Sequence, residues 1–431
     1  MKYYSTNKIV PKVSFKQAVV KGLAPDKGLY FPSKIKKLPI GFFKNIGYFT
    51  NEEIAYEVIK QFIKGEIPEK DLKKIIEETI NFDFPLVHID ENIFTLELFH
   101  GPTMAFKDVG ARFMARCLGY FNKQDDTQKV TVLVATSGDT GGAVASGFLN
   151  VEGVDVVILY PSGKVSDVQE KQLTTLGKNI TALEVNGTFD DCQAMVKTAF
   201  LDDELTKVLN LTSANSINVA RWLPQMFYFF FAYKQLKNNN LNIVFSVPSG
   251  NFGNICAGLM AQKLGLPVKQ FIASTNVNDV FPNYLETGNY IAKPSKQTIS
   301  NAMDVGDPSN FVRILELFNN NIVELRKQLS SYSFTDDETI EAMKEIMKTS
   351  NYIADPHGAV GYLGLKKYEI SQNTCGIFLE TAHPVKFLDV IEPVLNIKIE
   401  LPKQIKEVID KEKIAFKIDN YNQLKQHLLT S

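Results

Sequence analysis

Lys107 closes the run Leu98-Phe-His-Gly-Pro-Thr-Met-Ala-Phe-Lys107 and precedes Asp108-Val-Gly-Ala-Arg112. Pro102 sets a turn, and Val109, Phe113, Met114, Cys117, Leu118 and Phe121 then recur at helical spacing. A helix therefore starts at the lysine, with Asp108 in its first turn. The unpaired amides of a first turn carry partial positive charge, which lowers an amine's pKa and leaves more of it neutral. A neutral amine is a nucleophile and a base, able to form a Schiff base with a carbonyl or to remove a proton. The plain alternative is a solvated surface lysine, and this stretch alone leaves both open.

Three apolar runs deliver polar residues to their ends. Val130–Ala135 leads into Thr136-Ser-Gly-Asp-Thr-Gly-Gly-Ala143, Asn242–Val247 into Pro248-Ser-Gly-Asn-Phe-Gly-Asn254, and Gly376–Thr381 into Ala382-His-Pro384. If these are parallel strands, their carboxyl ends share the edge at which open α/β sheets bind ligands. The loop Ser249–Asn254 suits an anion such as phosphate, because Gly250 and Gly253 let backbone amides approach and the following helix adds its positive end. It carries neither a dinucleotide glycine fingerprint nor a nucleotide P-loop ending, and a simple tight turn is the alternative. Asn215-Ser-Ile-Asn-Val-Ala-Arg221 offers a second anion site, with the guanidinium fork of Arg221 matched to carboxylate or phosphate. Helix capping by Ser216 or Asn218, with Arg221 paired at the surface, competes with that reading. Thr381 is either a functional hydroxyl or only a β-branched strand residue.

The elements that must position these groups follow from the apolar patterning. Val154–Tyr160 is a further strand, and strands separated by helix-length segments predict parallel sheets with crossover helices. Amphipathic helices are expected near Glu53–Lys64 and Pro68–Ile80, and Thr335 with Glu338 forms a capping box for a helix ending near Lys348. Glu184–Gln235 reads as mostly helical, with the apolar run Trp222–Phe231 buried, and Asn238–Asn240 as a turn. The lysine-rich tail from Lys386 reads as peripheral.

A chain of 431 residues predicts two or three domains. Its 47 basic residues balance 48 acidic ones, which removes the basic footprint that nucleic acid or anionic membranes require and points to small-molecule partners. The N-terminus has no secretory pattern and no segment approaches about 18 consecutive apolar residues, so a cytoplasmic protein is expected. Cys117, Cys192, Cys256 and Cys375 are too widely spaced for a zinc pattern and are expected as buried thiols; the five histidines form no metal motif.

Taken together, Phe106-Lys-Asp108, Thr136-Ser-Gly-Asp-Thr-Gly141, Ser249-Gly-Asn-Phe-Gly-Asn254 and Thr381-Ala-His-Pro384 resemble the threonine synthase family, pyridoxal-phosphate enzymes of the tryptophan-synthase-β fold type. The resemblance runs from Lys2-Tyr-Tyr-Ser-Thr6 and Gly22-Leu-Ala-Pro-Asp26 through Met303-Asp-Val-Gly-Asp-Pro-Ser-Asn310 and Asp355-Pro-His-Gly-Ala-Val360 to about Phe387. Lys27 departs from the family pattern, which often has glycine there, in a place not expected to touch the chemistry. The resemblance implies an α/β protein of fold type II, with open, mostly parallel sheets in two lobes and an N-terminal cap. It implies a cap at residues 1–95, a large cofactor-binding domain at 96–125 and 240–390, a smaller inserted α/β domain at 126–239, and a tail at 391–431 packed on the body.

Carried over by position, the resemblance makes Lys107 the Schiff-base lysine of pyridoxal 5'-phosphate and gives the cofactor phosphate to Gly250, Asn251, Phe252, Gly253 and Asn254. Thr381 would meet the pyridine nitrogen, and a hydroxyl, unlike an aspartate, leaves that nitrogen unprotonated and the ring a moderated electron sink. Asp139 would flank the cofactor hydroxyl, with Ser137 and Thr140 toward the substrate, and Asn215, Ser216 and Arg221 would take the substrate phosphate. The implied reaction is a carbon–oxygen lyase step on O-phospho-L-homoserine, adding water to give L-threonine and phosphate, in a monomer or weak homodimer. Two other readings keep the same fold: a lyase releasing 2-oxobutyrate and phosphate, and a non-catalytic binding or scaffold protein that keeps the fold but not the activity.

Overall fold

The computed structural model describes residues 1–125, 129–236 and 241–430; the turn expected at Asn238–Asn240 lies outside the described residues. Internal packing divides the chain into two compact units. One contains Pro32–Phe106 and Trp222–Glu400 together with Met1, and the other contains Lys2–Phe31, Lys107–Arg221 and Leu401–Ser431.

The first unit is built on a six-stranded sheet in the order Leu329–Ser333, Val268–Thr275, Asn242–Pro248, Thr374–Glu380, Ile93–Glu97, Leu86–Asp90. All neighbours run parallel except the last pair, so the carboxyl ends of five strands lie along one edge. Thr374–Glu380 is buried at every position, as a central parallel strand covered on both faces must be. Close cover from the helix Pro356–Tyr368 depends on Gly364, where a Cβ would stand 2.0 Å from Ser274 Oγ and 2.6 Å from Ser246 Oγ. The expected buried aromatic run ends in the helix Phe227–Leu236, and Phe229 packs edge-on against Phe245 and Phe271 at 5.1 and 5.6 Å.

The second unit holds an all-parallel five-stranded sheet, in the order Phe416–Ile418, Ile180–Val185, Val154–Pro161, Val130–Ala135, Asn210–Ser213. The helix Lys107–Asp125 buries all six apolar positions identified from the sequence. It packs closely on the helix Asp139–Phe148, since a Cβ at Gly147 would come within 3.1 Å of the Ala111 backbone. All four cysteines are buried free thiols.

The stretch from Glu184 to Gln235 is mostly helical, as expected, although Glu184 itself lies inside the strand Ile180–Val185 and the stretch contains Asn210–Ser213, a strand too short and too polar to signal itself. Two expectations from the sequence are corrected. The tail is not merely peripheral: Phe416–Ile418 adds an edge strand, and Leu424 and Leu428 join the core with Leu183 and Val185. Residues 1–95 do not form one cap, since 2–31 belong to the second unit. They are fixed there by Thr212 Oγ1 and Asn218 Nδ2, which both donate to the Val19 carbonyl, at 3.2 and 2.9 Å. No helix among the described residues is long and apolar enough to cross a membrane.

Candidate active site

The sequence-derived site residues fall into two groups, one in each unit. In the first unit the strand Asn242–Pro248 ends in the loop Ser249–Asn254, and the helix Gly253–Lys263 begins there, as the anion-site reading requires. The loop is anchored on both sides. Ser249 N donates to Ser274 O on the neighbouring strand at 2.8 Å, while Asn251 Oδ1 accepts from Ser309 N at 2.7 Å and Asn251 O from Asn310 Nδ2 at 3.0 Å. Gly250 is required by proximity, because a Cβ there would stand 2.7 Å from Ala302 O and 2.8 Å from Met303 Cα. The left-handed residue of the loop is Phe252, not a glycine, with φ 59°; its ring is held 4.5 Å from that of Phe281, packing that offsets the backbone strain.

Thr381 follows the last residue of the central strand and is buried. Its carbonyl accepts from Phe106 N at 2.9 Å, and Ala105 bridges Ala382 in antiparallel fashion. Lys107, the next residue in the chain, opens the helix Lys107–Asp125 and is half-buried, with Asp108 buried in the first turn.

In the second unit the remaining residues collect at the carboxyl ends of two adjacent parallel strands. Ser137 follows Val130–Ala135, and Asp139 and Thr140 open the next helix. The hydroxyl of Thr136 folds this turn by accepting from Gly138 N at 3.0 Å and Gly141 N at 2.8 Å, and Asp139 Oδ1 accepts from Gln169 Nε2 at 3.0 Å. Asn215, after Asn210–Ser213, donates through Nδ2 to Ala135 O at 2.9 Å and so joins the two strand ends. Arg221 is buried, donates to Ala214 O at 2.6 Å, and meets the Lys107 helix at Gly110, where a Cβ would be 2.6 Å from the Arg221 carbonyl oxygen. Lys107, Ser137, Asp139, Thr140, Asn215, Ser216 and Arg221 thus belong to one unit, and Gly250–Asn254 with Thr381 to the other.

Residues 84–379 match the family of pyridoxal-phosphate dependent enzymes, residues 2–80 the threonine synthase N terminus and residues 358–428 the threonine synthase C-terminal region. A threonine synthase of Haemophilus influenzae is 44% identical over 436 residues, covering 100% of both chains. The chain belongs to the threonine synthase family. The crystal structure of threonine synthase from Escherichia coli superposes with a TM-score of 0.94 at 41% identity over 100% of both chains. The PLP-bound threonine synthase of Brucella melitensis gives 0.93 at 34% identity, covering 99% of this chain and 98% of that one.

Pyridoxal phosphate is the cofactor of this family, and the loop Ser249–Asn254 fits its anionic group on a direct observation. Asn254 is buried at the helix start with neither its Nδ2 nor its Oδ1 hydrogen-bonded. An unpaired buried amide costs roughly 1–3 kcal/mol, a cost that a ligand oxygen accepting from Nδ2 removes. Behind the loop, Asp304 accepts from Thr298 Oγ1 at 2.7 Å and Asn276 Nδ2 at 2.9 Å; burial nevertheless pushes its carboxyl up to about 6. Burial likewise pulls His383 down to about 4, so the imidazole beside Thr381 is neutral near pH 7.

Sequence reasoning missed several residues. Gln169 positions Asp139 from the next helix, and Ser309 and Asn310 clamp Asn251. Asp355, His357 and Glu380 form a buried polar chain behind the loop Ser249–Asn254 and Thr381. Asp355 followed by proline announces a capped helix start, but its pairing with Glu380 is a long-range contact without a local signal.

Proposed function

We propose that the protein converts O-phospho-L-homoserine and water to L-threonine and inorganic phosphate with pyridoxal 5'-phosphate. The observation that carries this reading is the orphaned Asn254 amide in a glycine loop at a helix start, within a chain of this family. In this proposal Gly250, Asn251, Phe252, Gly253 and Asn254 hold the cofactor phosphate through backbone amides and the Asn254 side chain. The Thr381 hydroxyl meets the ring nitrogen, Asp139 the ring hydroxyl, and Lys107 the carbonyl carbon. When bound, the cofactor supplies an electron sink for the carbon acid chemistry of the substrate.

The chain's own residues then move protons and hold charge. Lys107, as a free amine, removes the proton at Cα, transfers one from Cβ and returns one after phosphate has left Cγ. Arg221, Asn215 and Ser216 bind the substrate phosphate and stabilise its developing charge, with Ser137 and Thr140 lining the same strand ends. Water adds at Cβ, and Lys107 restores the proton at Cα before threonine is released. The protein acts in this reading as a monomer or weak homodimer, which sedimentation over a concentration series checks.

The decisive experiment supplies O-phospho-L-homoserine to the cofactor-loaded protein and quantifies phosphate and organic product in the same sample. Threonine formed mole for mole with phosphate supports the proposal. Phosphate with 2-oxobutyrate would assign a lyase that omits hydration, and cofactor binding without turnover would assign a binding protein.

A further inference from the structure

A buried run of polar groups joins the two parts of the first unit that the cofactor would use. Glu380, the residue before Thr381, is fully buried, and its Oε1 accepts from Asp355 N at 2.5 Å. Asp355, also fully buried, caps the helix Pro356–Tyr368, and its Oδ1 accepts from both the backbone N and the ring Nδ1 of His357 at 2.6 Å. On the far side of the ring, His357 Nε2 accepts from Ala302 N at 3.2 Å. Ala302 and Met303 are the backbone wall on which Gly250 rests.

These contacts fix protonation states. An N–H of Ala302 directed at Nε2 requires a lone pair there, so the ring proton resides on Nδ1 and is donated to Asp355. Asp355 Oδ1 is then the acceptor. Asp355 Oδ2 and Glu380 Oε2 are both buried and find no donor while the two carboxyls are ionised, whereas a proton on Glu380 places a hydrogen bond between the two side chains. Gly358 leaves room for the second carboxyl, since a Cβ there would lie 1.5 Å from Glu380 Oε2. Burial first, and then the negative charges of Asp355 and Glu97, push the Glu380 carboxyl well above the ordinary carboxylate range. A second unscreened charge beside Asp355 would be strongly unfavourable, and a proton on Glu380 removes it.

We propose that Asp355, His357 and Glu380 form a positioning relay for the cofactor cradle, in which Glu380 seats Asp355 and Asp355 orients His357 to hold Ala302 against Gly250. The proposal rests on the reading that pyridoxal phosphate occupies the Ser249–Asn254 loop and Thr381. Through one rigid set of contacts the relay ties the position of the phosphate loop to that of the strand end bearing Thr381. Neither end touches the reacting atoms.

The test measures equilibrium binding of pyridoxal phosphate to the full-length apo chain, with thermal melting of each apo form alongside. His357→Phe removes the acceptor for Ala302 N and should weaken binding by about 10- to 100-fold, the equivalent of one stranded, partly buried N–H. His357→Gln can direct an amide oxygen at the same N–H and should restore most of that loss. Glu380→Gln, a neutral isostere, should bind within about threefold of the wild type, as expected for a site that already holds a neutral carboxyl. A folded His357→Phe variant that binds as tightly as the wild type would overturn the relay, as would a loss in Glu380→Gln equal to that in His357→Phe. Should His357→Phe not fold, nitrogen NMR of the ¹⁵N-histidine-labelled wild type decides instead, with the resonance assigned from its absence in His357→Gln. A protonated Nδ1 and an unprotonated Nε2 are required, and the opposite tautomer rejects the relay. A wild-type chain that binds no pyridoxal phosphate would reject the functional reading itself, so the two failures are distinct.

Discussion

The backbone N–H of Phe106 donates to the carbonyl of Thr381 at 2.9 Å, with His383 N donating to Met104 O at 3.0 Å one step further along. Met104–Phe106 and Thr381–His383 are therefore zipped together, and the residue before Lys107 is pinned to the strand end that carries the hydroxyl proposed to meet the cofactor ring. A nucleophilic lysine needs a fixed backbone more than a fixed side chain, because its four-carbon stem reorients as it exchanges partners. Met104 takes a left-handed φ of 59°, a local strain that persists only where the surrounding contacts hold it.

Replacement of Lys107 by alanine should abolish turnover, by about 1,000-fold or more for a group that serves as nucleophile and mobile base. The variant should also release pyridoxal phosphate on dialysis while melting near the wild-type temperature. Phosphate release with O-phospho-L-homoserine reads the first effect and cofactor absorbance the second. Near-normal activity would remove Lys107 from the site.

Asn254 gives a stability signature opposite to that of an ordinary buried side chain. Because neither of its polar atoms has a partner, Asn254→Ala should leave the apo protein as stable or up to about 1 kcal/mol more stable, while weakening pyridoxal phosphate by roughly tenfold. Melting and cofactor titration on the same preparations check both signs. A destabilised apo protein with unchanged affinity would make Asn254 structural.

Local signals explain what the sequence revealed. The strands Val130–Ala135, Asn242–Pro248 and Thr374–Glu380 are rich in apolar β-formers, with few polar residues between them, and Lys107, Ser249–Asn254 and Thr381 stand at a strand end or a helix start, where short-range pattern is informative. What stayed hidden depends on contacts between distant segments. Phe416–Ile418 has no meaning as a strand until Ile180–Val185 offers an edge to it, and a buried glutamate such as Glu380 is invisible until Gly358 and Asp355 surround it. The positive φ at Phe252 was equally unreadable, because the glycines on either side were the natural candidates and the Phe281 ring that supports it lies in another helix.

Arg221 is tested by separating charge from geometry. Arg221→Ala should raise KM and lower kcat, reducing kcat/KM by about 10- to 100-fold for loss of a charged hydrogen-bonding partner, and should also cost some stability through the lost bond to Ala214. Arg221→Lys keeps the charge but not the fork, so its KM should fall between the two. A loss of stability with unchanged steady-state constants would favour a purely structural arginine.

His383 predicts a pH dependence of stability whose sign is fixed by its burial. Its folded pKa of about 4 lies below the ordinary 6.5, so the unfolded chain takes up the proton first. The stabilising contribution is complete above about pH 6.5 and is lost as pH falls toward 4, by roughly 2 kcal/mol between pH 7.5 and pH 5. Asp304 acts in the opposite direction, because its carboxyl, raised to about 6, favours the folded state as pH falls below that value. The comparison must therefore be between wild type and His383→Asn, in which the Asp304 contribution cancels. Asparagine can still cap the turn Pro384–Phe387, where His383 Nδ1 now accepts from Val385 N at 3.1 Å. Loss of the ring's packing on Phe99 lowers stability at both pH values alike. Urea unfolding at the two pH values should show the variant losing about 2 kcal/mol less than the wild type on acidification, and equal losses would show that His383 is not held neutral in the folded protein.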